Sequence, residues 1–152
     1  MTMHDSAEVV ELVRQIRHDY LNYFQVITGY LELGMPERAQ TFINDIMAGA
    51  ARERTLLSLQ PPQLGLTLYR LYMHWYVQGI ILEFTPEKLN DDWDLTCLEA
   101  QIEKLIMNQG WHAPDESDLV LSVTLEQVAP GRVRMSITPA DGEVVQTEIT
   151  RE

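Results

Sequence analysis

From about Ser6 to Leu33 apolar residues recur every three or four positions without a break, at Val9, Val13, Ile16, Tyr20, Phe24, Ile27 and Leu31. This is the spacing of one face of a helix. It predicts a helix of roughly 28 residues, about 42 Å long at 1.5 Å per residue. Asp5 is placed to cap its start, with Glu8 three residues on. Gly34 ends it, and Pro36 suits the first turn of a second helix. That helix carries Ala39, Phe42, Ile43, Ile46, Met47, Ala50 and Leu57 and stops before Pro61-Pro62. Two long helices cannot enclose an apolar core, so burying both stripes needs another helix pair. A second copy of the chain supplies it most simply, as a four-helix bundle with two-fold symmetry. The rest of the same chain is the other source, but its pattern differs.

After the double proline, "LGLTLYRLYMHWYVQG" reads as a third helix and "IILEF" as a short strand. Residues 96–109 are helical, with Leu98, Ile102, Leu105 and Ile106 on one face. "LVLSVTLEQV" and "RVRMSITPA" alternate as strands around a Pro130-Gly131 turn, and "EVVQTEIT" is a candidate last strand. The expected fold class is therefore α+β. Residues 1–60 form a helical hairpin, and residues 61–152 form a small α/β sandwich of two helices on three or four strands.

Composition bounds the function. The formal net charge is −12. Residues 1–60 carry eight acids and five bases, and residues 61–152 carry fifteen acids and six bases. Such a surface disfavours nonspecific binding to nucleic acid or anionic lipid, and makes a polyphosphate site in the second half unexpected. No run of eighteen apolar residues occurs, so no membrane span is expected. "MTMHDSAEVV" has neither the basic start nor the apolar core of a secretory signal. A single cysteine, Cys97, allows no internal disulfide, and the expected compartment is the cytoplasm.

On the first helix Glu11, Arg14, His18, Asn22, Gln25 and Gly29 follow at three- and four-residue steps, opposite the apolar stripe. A solvated face accounts for such a set without any function. A phosphoryl acceptor, however, needs an accessible neutral ring nitrogen. Asp19 can orient the His18 ring and favour one tautomer. Arg14, one turn back, and Arg17, adjacent, can offset phosphoryl charge. Asn22 brings an amide near the ring. Gly29 removes a side chain where a partner can approach, or is simply a tolerated helix glycine, at roughly 1 kcal/mol relative to alanine.

"RHDYLNYFQVITGYLELG" resembles the phosphoacceptor helix of the sporulation initiation phosphotransferase B family. More distantly it is similar to the histidine box of citrate- and malate-type sensor kinases. The shared pattern is R-H-D/E-x-x-N followed by apolar spacing and a G-x-x-x-L-G ending. "MPERAQTFINDI" matches the family's second hairpin helix in character. The resemblance implies a homodimeric four-helix bundle with one exposed histidine per chain. That histidine takes a phosphoryl group from the aspartate of one response regulator and passes it to another. By position, His18 is the phosphoacceptor, Asp19 the adjacent acid, Asn22 the amide of the pattern and Arg17 the residue before the histidine. Gln25 and Gly29 would lie where a receiver domain docks. The protein would need no cofactor or metal of its own, and Mg²⁺ would come with the regulator.

A sensor kinase of this type also needs an ATP-binding domain. "LIMNQG" places Asn108 late on a helix, but the N-x-x-x-N-A pattern is missing. Ala140 to Gly142, "ADG", is either a remnant of the first glycine box or a plain turn, and the turn is the expected reading. The ten residues after it cannot hold a lid and a second glycine box, and the loops that cradle phosphate are not found. The second domain is therefore expected to be a degenerate relative of the kinase ATPase domain without a nucleotide site, binding no ATP. His4, His74 and His112 show no metal spacing. His74 reads as a packing residue, and Met107 with the other methionines as core filler. The rival reading is a non-catalytic module that binds and scaffolds or inhibits a kinase or regulator.

Overall fold

The computed structural model describes residues 3–86, 89, 96–115 and 117–150. Four helices and four strands follow in the order α1 (Met3–Glu32), α2 (Pro36–Leu57), α3 (Pro62–Tyr76), β1 (Ile80–Pro86), α4 (Thr96–Gln109), β2 (Leu119–Ala129), β3 (Arg132–Pro139) and β4 (Val145–Thr150). The architecture is α+β, as the patterning implies. Tertiary contacts divide the chain into two compact units, Met1–Ala51 and Arg52–Glu152. The division falls inside α2, ahead of the proline pair.

In the first unit α1 begins at Met3, so Asp5 lies within its first turn and not at its N-cap. Its end is chemically sharp. The Gly34 N–H donates to the Leu31 carbonyl at 3.1 Å, and the Met35 N–H donates to the Tyr30 carbonyl at 2.9 Å. This paired bonding needs a left-handed residue after the helix, and Gly34 supplies it at φ +70°. Pro36 then opens α2. The hairpin closes on aromatic edges. Phe42 meets Tyr23 at 6.0 Å and Tyr30 at 6.4 Å between ring centroids, both edge-on. Such pairs add about 0.5–1.5 kcal/mol each beyond burial. Ala39 is buried, and Ile16, Ile27, Ile43 and Ile46 are half-buried.

The rest of the α1 stripe stays uncovered. Val9, Val13, Tyr20, Phe24 and Leu31 are between 41% and 63% exposed. On α1 the half-buried residues Ile16, Tyr23, Ile27 and Tyr30 run along one side of this stripe, and Tyr23 and Tyr30 are the ones that meet Phe42 of α2.

The second unit is a four-stranded sheet in the order β1-β2-β3-β4. β1 and β2 are parallel, joined through α4, and the other pairs are antiparallel. Alternation decides the faces. Leu82, Leu121, Val123, Leu125, Val133, Met135, Ile137 and Ile149 are buried in one core with Leu68, Leu71 and Tyr72 of α3 and Leu98, Ile102 and Ile106 of α4. The intervening residues build a polar face. There Arg134 pairs with Glu126 at 3.8 Å and with Glu148 at 3.5 Å, and Arg132 pairs with Glu148 at 3.5 Å. Ala140 to Gly142 is the turn between β3 and β4.

Two expectations about helix faces fail as well. Met107 is 69% exposed, because the buried face of α4 runs through Leu98, Ile102 and Ile106 and Met107 follows that face by one position. His74 is exposed as well. The buried face of α3 runs through Leu64, Leu68, Leu71, Tyr72 and Trp75, and His74 lies off it, edge-on to Trp75 at 5.2 Å. Among the described residues no helix is long and apolar enough to cross a membrane.

Candidate functional site

His18 stands near the middle of α1 with 68% of its side chain exposed. Its position follows from helical spacing. Tyr23 and Tyr30, which meet Phe42 of α2, lie about 120–140° round the helix from His18, and this turns His18 away from the hairpin seam. Two neighbours touch the ring, and both touch the same nitrogen. Asn22 Nδ2 lies 3.3 Å from His18 Nδ1, and Asp19 Oδ1 lies 3.5 Å from it. Both contacts are longer than a well-formed hydrogen bond of about 2.7–3.2 Å. Together they orient the ring by Nδ1 and direct Nε2 away from these partners.

The two contacts make opposite demands. A carboxylate only accepts, so Asp19 favours a proton on Nδ1 and a lone pair on Nε2. The Asn22 NH₂ only donates, so it favours a bare Nδ1 and a proton on Nε2. The nucleophilic state of an outward Nε2 is the first of these.

Gln15, which sequence reasoning passed over, joins the cluster. Its Nε2 donates to Asp19 Oδ1 at 3.0 Å. The available signal was a Gln-Asp pair four residues apart, a spacing that places side chains together on a helix. The cations expected to assist are arranged differently. Arg14 pairs with Glu11 at 3.6 Å, both more than 70% exposed. An exposed pair of this kind contributes about 0–1 kcal/mol and opens at little cost. Arg17 is exposed on the turn beside His18. Gln25 is exposed, and Gly29 is half-buried on the same face. A Cβ added at Gly29 would meet nothing within 4 Å. The site thus gathers Gln15, His18, Asp19 and Asn22 into one polar cluster, while Arg14, Arg17, Gln25 and Gly29 flank it.

Residues 1–59 match the model of the SpoOB-type sensor kinase alpha-helical domain. That match covers the first 59 of the 152 residues, the helical part of the chain. Over 130 residues the chain is 30% identical to the sporulation initiation phosphotransferase B of Bacillus subtilis (strain 168), covering 82% of this chain and 65% of that protein. The chain thus spans about two thirds of the length of its curated relative. A solved structure of histidine kinase ThkA in complex with the response regulator TrrA aligns with 88% of this chain and 46% of that one, at 18% identity and a TM-score of 0.31. His18, its ring neighbours Asp19 and Asn22, and Gln15 beyond Asp19 all lie within the matched segment.

The second unit holds a smaller feature. A cleft of about 150 Å³ is lined by Arg52, Thr55, Leu56, Leu82, Glu83 and Phe84. Arg52 pairs across it with Glu83 at 3.4 Å. Arg52 also hydrogen-bonds the Tyr72 hydroxyl, whose pKa burial raises despite that bond. Ligand pockets run to about 300–1,000 Å³, so this cleft is too small for a nucleotide. Among the described residues no group of His, Cys, Asp and Glu is arranged to hold a metal ion.

Proposed function

We propose that the protein is a phosphorelay phosphotransferase and that His18 is its phosphoacceptor. The observation that carries this is the ring geometry. Nδ1 meets two neighbours and Nε2 meets neither of them, on a side chain 68% exposed within the segment that matches the SpoOB-type helical domain. Its relative of similar sequence is named for phosphotransfer in sporulation initiation.

The donor is the aspartyl phosphate of a response regulator receiver domain. The Nε2 lone pair attacks phosphorus in line, and the N–P bond forms as the P–O bond to the aspartate breaks. The electron pair leaves with the aspartate carboxylate. The ring keeps its Nδ1 proton and becomes cationic, with the Asp19 carboxylate beside it. A second receiver aspartate reverses these steps. Catalysis here is positioning and charge neutralisation. Arg14, released from Glu11, and Arg17 reach the phosphoryl oxygens, while Gln25 and Gly29 meet the receiver surface. Mg²⁺ arrives with the receiver domain.

The exposed stripe Val9, Val13, Tyr20, Phe24 and Leu31 is covered by a second copy, giving a homodimeric four-helix bundle. The second unit is a degenerate ATPase-like sandwich that takes no ATP, and the protein works in the cytoplasm. The test is a relay in three parts. Label on a phosphorylated receiver domain should pass to this chain and then to a second receiver domain. Incubation with ATP and Mg²⁺ alone should leave the chain unlabelled. Tight binding of receiver domains with no label transferred would replace this reading with that of a non-catalytic scaffold or inhibitor.

A further inference from the structure

Asp19 and His18 are adjacent on α1, and adjacent helical residues leave the axis about 100° apart. Adjacent side chains on a helix do not face each other. Asp19 nevertheless turns its Oδ1 toward the His18 ring, to 3.5 Å. The residue between them in azimuth is Gln15, one turn earlier, about 40° from Asp19 and about 60° from His18. Its amide holds the same oxygen, Oδ1, at 3.0 Å.

We propose that Gln15 is a positioning residue for phosphoryl transfer. It draws the Asp19 carboxylate across the helix surface toward His18 and so selects the Nδ1–H tautomer. This inference rests on His18 being the phosphoacceptor and adds how its reactive form is set.

The mechanism follows from competition at one atom. Nδ1 cannot donate to Asp19 and accept from the Asn22 amide in the same state. With Asp19 held in place, the proton sits on Nδ1 and the Nε2 lone pair points outward. With Asp19 released, its carboxylate turns to water, the Asn22 contact at 3.3 Å prevails, and the proton moves to Nε2. The lone pair then lies on the inward nitrogen and cannot reach phosphorus. Gln15 never touches the phosphoryl group and acts only through Asp19.

The test uses the full chain and Gln15→Met, a variant of similar length without a donor, at an exposed helix position where Met is a good helix former. Two-bond ¹H–¹⁵N spectra of His18, taken with the ring neutral, give the ratio of tautomers. The variant should shift toward Nε2–H. Phosphoryl uptake from phosphoramidate, mapped by mass spectrometry, should slow at His18 by about three- to tenfold, the rate equivalent of one exposed hydrogen bond. Uptake at His74 and His112 in the same samples should not change. The double variant Gln15→Met/Asp19→Asn should be no slower than Asp19→Asn, because both act on one contact. An unchanged tautomer ratio, or losses that add in the double variant, would overturn the proposal. Failure of the phosphoacceptor reading looks different. Wild-type His18 would then take no phosphate from a phosphorylated receiver domain, while the tautomer ratio would still decide the role of Gln15.

Discussion

Gly29 has no steric reason to be glycine inside this chain, since an added Cβ meets nothing within 4 Å. Helix propensity argues against it, so Gly29→Ala should stabilise the hairpin by about 1 kcal/mol. If a receiver domain approaches along this face, the same change should slow transfer. Thermal unfolding and the transfer rate will then move in opposite directions, whereas a glycine of no consequence would move only the first. Asn22→Ala and Gln25→Ala should slow transfer and leave the circular dichroism unchanged, because both residues are exposed and belong to no core. The polar stripe and its central histidine were legible in the sequence because helical spacing alone puts them on one face. Which side chains touch was not legible. Spacing favoured Arg14, one turn from His18, and passed over Gln15, but the rotamers engage Arg14 with Glu11 and Gln15 with Asp19.

At the scale of elements, the helices and strands follow the patterns that predict them. Gly34 and Pro36 bound the helices where their backbone chemistry requires. Helix faces were harder to read, as Met107 and His74 show. A short helix in a sandwich buries a narrow stripe, and a residue one position off it points to water. Gly65 marks a contact that no pattern announces. A Cβ there would sit 2.5 Å from the Leu56 carbonyl oxygen, where α3 runs against the end of α2. Gly65→Ala must push backbone apart, and should destabilise the second unit by about 1–3 kcal/mol, read from urea unfolding. The core of that unit also carries an alkaline limit. Burial raises the Tyr72 pKa above the ordinary value of 10.0. The folded state therefore keeps the proton where the unfolded state loses it. Stability from this group is complete below pH 10 and declines as pH rises from there through the folded pKa. Tyr72→Phe removes the titration and should flatten the decline in stability above about pH 10, the ordinary tyrosine range.

For the whole molecule the exposed stripe on α1 is the feature with the largest consequence. Val9, Val13, Tyr20, Phe24 and Leu31 together form an apolar surface that monomers rarely leave in water. The sequence shows that such a stripe needs a cover but cannot name it, because periodicity describes one surface and not its mate. Light scattering should give about twice the chain mass of 17.5 kDa. Phe24→Asp should shift the protein toward the monomer, since it places a charge in the middle of the stripe. The central claim concerns one atom, Nε2 of His18. Incubation with an aspartyl-phosphorylated receiver domain, followed by peptide mapping and ³¹P NMR, tests it directly. The expected result is a single acid-labile phosphoryl group on His18 Nε2. His18→Gln should take up none while its stability changes by less than about 0.5 kcal/mol, as suits an exposed position. Phosphate found elsewhere on the chain, or relay by His18→Gln at the wild-type rate, would contradict the account.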